Sequence, residues 1–241
     1  MKHLTIRIRM VTLVVLSAAW VVFFQKTNTA QTKQPDAGPP SAAAGSVRNG
    51  DAMKKSLGAK TVLLPTPVWV IGSYDTEGKP NVMTAAWVGI CCSRPPCVAV
   101  SLRKATYTYG NIVKRKAFTV NIPPERFAKE TAFWGIVSGR DTDKFKATGL
   151  TPVQSVLVDA PYVKEFPLVV ECRLLHTLEL GLHTMFVAEI MDVKADASVL
   201  GEDGTPDAKK LKPFLYAPGN RGFYGIGEYL GDVPSLAKRV K

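Results

Sequence analysis

Basic and hydroxyl side chains are concentrated in residues 101–108, SLRKATYT, where a predicted strand leads into a predicted helix. Arg103 and Lys104 could form charge-assisted hydrogen bonds with a phosphate. The first amides of a helix have no partner inside the helix, and the helix dipole favours an anion at that end. The segment therefore indicates an anion site, although helix capping and surface charge would account for the same residue types.

A second polar segment, SGRDTDKF, occupies residues 138–145. A glycine-led loop that feeds an Asp/Thr helix start is also typical of an anion site. Lys144 would lie in the first turn of that helix, where a positive charge is unfavourable with respect to the dipole. It therefore requires a partner, unless the segment is an ordinary capped helix with a solvated basic face.

Small residues surround a tryptophan in a third segment, NVMTAAW at 81–87. A flat ligand could approach the backbone there and pack beside Trp87, but a core strand with one aromatic residue is the alternative. His183 lies on a predicted strand, and a lone strand histidine is more often structural. The three histidines have no accompanying carboxylate pattern, so the sequence predicts no metal site.

Short strands must position these segments. Val98, Val100 and Leu102 alternate with small residues and predict a strand at 97–102. A long strand is predicted at 81–92. The remaining main elements are helices at 105–116, 126–137 and 143–147, and strands at 117–122, 167–180 and 182–195. Many strands with few helices favour a closed all-β barrel, or an α+β variant, with inserted short helices.

The N-terminus predicts export. Residues 1–30 contain four bases and no acid, and residues 10–24 form an uncharged, mostly apolar run of about 15 residues. That length is below the about 20 residues that a membrane span requires and is typical of a signal peptide. An uncleaved anchor facing the periplasm is the alternative to a periplasmic protein. We interpret residues 31–50 as a flexible linker and 51–241 as the folded domain.

The net charge of +11 comes from scattered bases without a nucleic-acid-binding motif. It suits an anionic cofactor or an acidic redox partner equally well. The cysteines Cys91, Cys92, Cys97 and Cys172 match no zinc spacing. We expect them to be small core or strand residues, with a Cys92–Cys97 or Cys97–Cys172 bridge as the alternatives.

Five segments together resemble the flavin reductase-like FMN-binding split-barrel family, and within it the flavoredoxins. They are PTPV at 65–68, NVMTAAW at 81–87, SLRKATYT at 101–108, SGRDTDKF at 138–145 and GLHTMFVAEI at 181–190. The resemblance covers roughly residues 55–230. It implies a split β-barrel, usually a homodimer, with one FMN per subunit near the dimer interface.

The resemblance also implies a set of FMN-binding residues. Arg103, Tyr107 and Thr108 would surround the phosphate and ribityl chain, while Lys144 would reach the flavin as a cation that stabilises its reduced form. The whole set is Asn81, Thr84, Ala85, Trp87, Ser101, Arg103, Lys104, Tyr107, Thr108, Ser138, Asp143, Lys144, His183 and Tyr216.

The resemblance and the predicted export signal together suggest an exported flavoprotein that moves electrons between a redox partner and an acceptor. An NAD(P)H-dependent FMN reductase is the main alternative, but NAD(P)H is scarce outside the cytoplasm. A barrel that binds a different ligand without catalysis is the third interpretation.

Overall fold

The structure is a computed structural model that describes residues 54–240. The predicted signal segment and linker, 1–30 and 31–50, lie outside the described residues. The main sheet has seven antiparallel strands. These are β2 (Trp69–Tyr74), β3 (Pro80–Ala85), β4 (Val88–Ser93), β5 (Pro96–Arg103), β6 (Ala117–Ile122), β9 (Leu168–Glu179) and β10 (His183–Ala195).

Two small sheets accompany the main one. The first contains β1 (Thr66–Pro67), β11 (Phe214–Ala217) and β12 (Gly222–Gly225), and the second contains β7 (Pro152–Gln154) and β8 (Pro161–Val163). The helices are α1 (Tyr107–Arg115), α2 (Ala128–Ile136), α3 (Lys144–Thr148), α4 (Ala208–Leu211) and α5 (Val233–Ala237). Between residues 54 and 240, no helix is long and apolar enough to cross a membrane.

The predicted closed barrel is open. The strand order is β3-β2-β6-β9-β10-β5-β4, so β3 and β4 are the two edges of the sheet. The strand predicted at 81–92 is broken at Ala86 and Trp87, where the chain crosses from one edge to the other. Sequence alone did not reveal this break, because both halves are apolar strands. The observed architecture, mostly strands with a few short helices, is a split barrel.

Inward-facing side chains of several strands form the main core. Ile71, Val100, Leu102, Phe118 and Phe186 are almost completely inaccessible to solvent there. Burial of side chains of this size contributes about 1.5–3 kcal/mol each. The alternation predicted at 97–102 is confirmed in β5, because Val98, Val100 and Leu102 all belong to this core.

A second core lies where α2 and α3 meet the sheet. Trp134 of α2 packs against Phe145 of α3 and against Phe166, with ring centroids 5.8 Å apart in both pairs. Val82 of β3 belongs to the same cluster. This packing holds α2 beside the edge strand β3, and these two elements form one side of the candidate site.

Candidate functional site

A cavity of about 610 Å³ lies at the split of the barrel, beside the bend at Ala86 and Trp87. Its volume falls within the range of about 300–1,000 Å³ that is usual for small-molecule sites. β3, the end of β5, α2, the start of β10 and the β11–β12 hairpin all contribute to its walls. The lining residues are Val68, Met83, Thr84, Ala85, Ala86, Trp87, Ser101, Leu102, Arg103, Thr106, Thr131, Ala132, Gly135, Ile136, His183, Tyr216, Arg221 and Phe223.

Small and hydroxyl residues of β3 and α2 form one wall. Thr84 Oγ1 donates a hydrogen bond of 2.6 Å to the Thr131 carbonyl and so ties the strand to the helix. Thr131 Oγ1 is buried and finds no hydrogen-bond partner among residues 54–240. A Cβ at Gly135 would lie 3.4 Å from Thr84 Cβ, which is ordinary van der Waals contact, so α2 and β3 approach each other closely here. This wall offers close backbone approach and an unused hydroxyl to a ligand.

Aromatic side chains form the opposite wall. The rings of Trp87 and His183 are nearly parallel, at 19°, with centroids 6.4 Å apart. The Trp87 and Tyr216 rings are also 6.4 Å apart, and Phe223 meets Tyr216 edge-on at 6.1 Å. Such a wall suits a flat conjugated ligand.

The third feature of the cavity is a cationic end. Arg103 ends β5, opposite His183 in the ladder with β10, and it is exposed at the cavity. Thr106, the N-cap of α1, directs its hydroxyl to the Arg103 carbonyl at 2.9 Å and leaves the first amides of α1 without a side-chain cap. Within the described chain, neither Arg103 nor Arg221 forms an ion pair with a carboxylate. These cations and uncapped amides suit a phosphate.

The predicted site residues therefore separate into two groups. The cavity brings together Thr84, Ala85, Trp87, Ser101, Arg103, His183 and Tyr216. The others do not line it. Lys104 is paired with Glu179 at 2.8 Å, Ser138 Oγ accepts from the Arg140 amide, and Asp143 caps α3 by accepting from the Lys146 amide.

Asn81, Tyr107 and Thr108 lie outside the cavity lining and take part in two separate hydrogen bonds. Asn81 Nδ2 donates to Thr108 Oγ1 at 2.9 Å, and the Tyr107 hydroxyl donates to Asp75 Oδ2 at 2.8 Å. Asn81 and Thr108 are almost completely buried. These residues hold β3 against the start of α1, so their geometry supports positioning of the site.

Residues 138–140 also contact the place where β3 meets the start of α1. A Cβ at Gly139 would lie 2.0 Å from Asn81 Oδ1, so only glycine allows the loop to approach this closely. Arg140 Nη1 donates to the Ala105 carbonyl at 2.9 Å, and its guanidinium lies 5.4 Å from the centre of the Tyr107 ring. The segment that the sequence singled out therefore stabilises the 103–107 turn, where the cationic end of the cavity is built.

Lys144 does not line the cavity, contrary to the expectation that it would reach the flavin. It is only 4% exposed, and its ammonium donates to the carbonyls of Val82 and Trp134, both at 2.8 Å. Val82 lies on β3 and Trp134 lies in the last turn of α2, where the helix dipole favours a cation. Lys144 thus joins the two elements of the small-residue wall from behind.

Burial lowers the pKa of Lys144 from its ordinary 10.5 to about 8. Between these values the unfolded chain binds the proton and the folded chain does not, so stability should rise with pH over this window. The neutral amine keeps two N–H donors for the two carbonyls. We expect the unfolding free energy of the wild type to rise by about 3 kcal/mol relative to Lys144→Met between pH 7.5 and 10.5. Urea titrations of both proteins at each pH measure this difference, and parallel pH curves would contradict it.

Sequence reasoning missed several residues of the cavity. Thr131 and Gly135 are one helical turn apart on α2, and a hydroxyl residue and a glycine at this spacing among aromatic neighbours were a usable signal. Arg221 and Phe223 come from the β11–β12 hairpin, where the sequence predicts only two short strands, at 213–216 and 222–226. The other missed lining residues are Val68, Met83, Ala86, Leu102, Thr106, Ala132 and Ile136.

Fold and site together define a split-barrel protein with a cavity for a flat, conjugated and anionic cofactor. A family model, "Flavin reductase like domain", matches residues 61–225. The chain therefore belongs to the flavin reductase-like family. This confirms the family and the split-barrel fold that the sequence predicted, and FMN is the cofactor that this membership supports.

Solved structures of the family agree. A flavoredoxin of Desulfovibrio vulgaris (Miyazaki F) is 52% identical with a TM-score of 0.74, over 77% of this chain and all of that one. A flavoredoxin from Methanosarcina acetivorans is 31% identical with a TM-score of 0.72, over 78% of this chain and all of that one. Similarity also extends to the reductase component of a Rhodococcus opacus 4-nitrophenol 4-monooxygenase/4-nitrocatechol 2-monooxygenase, at 29% identity over 49% of this chain and 60% of the relative.

Proposed function

We propose that the protein is an exported FMN-dependent electron carrier of the flavoredoxin type, which receives electrons from one redox partner and passes them to an acceptor. The observation that carries the proposal is the cavity at the split. It combines a cationic end with a small-residue wall and an aromatic wall, as a phosphorylated planar cofactor requires. The similarity to two flavoredoxins supports the same assignment.

Different residues of the cavity would bind different parts of FMN. Arg103, Thr106 and the uncapped amides of α1 would bind the phosphate. The hydroxyls of Thr84 and Thr131 offer polar contacts to the ring, while Trp87 and His183 would pack beside it. Bound FMN would supply the electron-accepting and electron-donating chemistry. The protein contributes orientation, exclusion of water and the positive charge of Arg103, which favours an anionic cofactor.

The homodimer is also part of this proposal. Ile136 lines the cavity and is 86% exposed, and Leu182, next to His183, is 70% exposed. Exposed apolar side chains of this size beside a cofactor site are typical of a subunit contact. We infer that a second copy of the chain covers them.

An NAD(P)H-dependent flavin reductase is the second candidate, and the similarity to the Rhodococcus opacus reductase component favours it. The basic and apolar segment at 1–24 favours the carrier instead, because a protein exported from the cytoplasm meets little NAD(P)H. Steady-state oxidation of NADH and NADPH with free FMN separates the two. Rapid turnover would overturn the carrier assignment, and negligible turnover with a reducible bound flavin would support it.

Arg103→Ala tests the cationic end. The apoprotein is titrated with FMN, and binding is followed by the change in flavin fluorescence. We expect the substitution to weaken FMN binding by about 10- to 100-fold, because a hydrogen bond to a charged group contributes about 1.5–3 kcal/mol. Lys104→Ala removes the neighbouring base, which is paired with Glu179 away from the cavity, and should change the affinity less than threefold.

Two results would contradict the proposal at different levels. Wild-type protein that takes up no FMN would overturn the function itself. If Lys104→Ala loses tight FMN binding and Arg103→Ala keeps it, the protein would still be an FMN-binding protein. The phosphate would then not lie at Arg103, at the end of β5.

A further inference from the structure

Four cysteines lie outside the cavity, and three of them meet on the β4–β5 hairpin at the edge of the main sheet. Cys92 of β4 lies directly opposite Cys97 of β5 in the antiparallel ladder, and Cys91 is the extra residue of the β-bulge between Ile90 and Cys92. All four cysteines are unbridged in the structure. The end of the hairpin that carries these thiols, residues 91–97, does not line the cavity, so the thiols require a separate explanation.

The ladder register favours a disulfide between Cys92 and Cys97. Residues directly opposite each other in an antiparallel ladder have Cα atoms about 4.5–5.5 Å apart, and disulfides need about 4.4–6.8 Å. Cys92 and Cys97 meet this requirement. Their side chains also point to the same face of the sheet, because opposed residues of a ladder share a face.

Two other pairings, Cys91–Cys92 and Cys97–Cys172, fail on the same measure. Cys91 and Cys92 are adjacent in sequence, so their Cα atoms are about 3.8 Å apart, below the disulfide range. Cys172 lies on β9, and β10 separates β9 from β5. Two strand spacings place Cys172 roughly 9–10 Å from Cys97, which is beyond bridging distance. The Cys97–Cys172 alternative from the sequence is therefore excluded.

The two opposed thiols differ in access. Cys92 is exposed and donates a weak hydrogen bond to the Arg94 carbonyl at 3.4 Å, whereas Cys97 is 3% exposed. Burial, together with the neighbouring Cys92, Cys91 and Glu189 groups, raises the pKa of Cys97. An exogenous disulfide can reach Cys92 directly but cannot reach Cys97. Because of this difference in access, Cys92 is the thiol that can attack an external disulfide, and Cys97 is the thiol that can resolve the resulting mixed disulfide.

We propose that Cys92 and Cys97 form a reversible thiol–disulfide pair that exchanges with low-molecular-weight disulfides. The Cys92 thiolate attacks one sulfur of the disulfide, forms a mixed disulfide and releases the first thiol. The Cys97 thiolate then attacks the Cys92 sulfur, forms the cross-strand bridge and releases the second thiol. Two protein thiols are oxidised and one external disulfide is reduced by the same two electrons.

The test uses glutathione as the probe. Fully reduced protein is equilibrated at a series of oxidised-to-reduced glutathione ratios, quenched with acid, denatured and alkylated, and its intact mass is measured. We expect the wild type to fall from four alkylated thiols to two, with no retained glutathione. Cys91→Ser, the matched control, should lose two thiols at the same ratios.

The variants of the pair distinguish its two roles. Cys97→Ser should accumulate one glutathione on Cys92, because the resolving thiol is missing, whereas Cys92→Ser should form no bridge. Four thiols retained at every ratio, glutathione adducts without a bridge in the wild type, or a bridge that persists in Cys92→Ser would each overturn the proposal. A disulfide between two chains on a non-reducing gel would also overturn it. If Cys97→Ser does not fold, the thiol counts of Cys91→Ser and Cys92→Ser still test the proposal, because both substituted positions are exposed.

Discussion

Lys144→Ala should lower the free energy of unfolding by about 2–5 kcal/mol and weaken FMN binding at the same time. The side chain is buried, so its removal leaves a cavity, and truncation of large buried side chains to alanine costs about this much. The substitution also leaves the Val82 and Trp134 carbonyls without the donor that pairs them. Those carbonyls belong to the two elements that form the small-residue wall of the cavity.

Lys144→Met is the matched control, because it keeps most of the volume and removes only the amine. It should be more stable than Lys144→Ala, since both variants lose the buried ammonium but only Lys144→Ala leaves a large cavity. Both variants should weaken FMN binding if the amine positions β3 relative to α2. Urea unfolding and FMN titration separate these effects. If FMN affinity is unchanged in both variants and stability falls only in Lys144→Ala, Lys144 contributes to core packing and does not position the cavity wall.

The role of Lys144 shows what the sequence could and could not predict. A lysine in the first turn of a short helix indicated that a partner was required, and that expectation was sound. The partners are backbone carbonyls, one of them 62 residues away along the chain. Every residue carries a carbonyl, so no residue type could identify them. The resemblance to a flavin-binding family directed the prediction to the cofactor instead.

The same limit applies to the fold. Alternation at Val98, Val100 and Leu102 predicted β5, because side-chain periodicity is a local property. The break at Ala86 and Trp87 depends on which strands pair at the two edges of the sheet, and a run of apolar residues carries no information about pairing. The split of the barrel, and with it the position of the cavity, therefore had to come from the structure.

The cavity itself was partly predictable for chemical reasons. Arg103 and the residues around Trp87 have types that suit a phosphate and a planar ring, and they lie in segments with a family resemblance. Thr131, Gly135 and Arg221 are brought to the cavity by tertiary packing of α2 and of the β11–β12 hairpin. The direct contacts of each residue with FMN stay predictions, which the Arg103 and Lys144 variants test.

Lys194→Met should destabilise the fold by about 3–5 kcal/mol, because it would leave a buried carboxylate without its counter-charge. Glu171 of β9 is completely buried, and Lys194 Nζ lies 2.7 Å from its Oε1, while Oε2 accepts from the Leu157 amide at 3.1 Å. Burial alone would raise the pKa of Glu171, but the Lys194 ammonium and the hydrogen bond from the Leu157 amide hold that pKa below its ordinary value. The carboxylate is therefore ionised in the folded protein at neutral pH.

Asp192 provides the matched control, because it contacts the same ammonium at 2.5 Å but is 43% exposed. Asp192→Asn should cost far less than Lys194→Met, because exposed ion pairs usually contribute little to stability. Adding Glu171→Gln to Lys194→Met removes the stranded charge and should recover most of the lost stability. Urea unfolding of the three proteins measures these differences. No recovery in the double variant would show that the lysine stabilises this part of the sheet by packing rather than by charge. Equal losses in Lys194→Met and Asp192→Asn would contradict a special contribution of the buried Glu171 carboxylate.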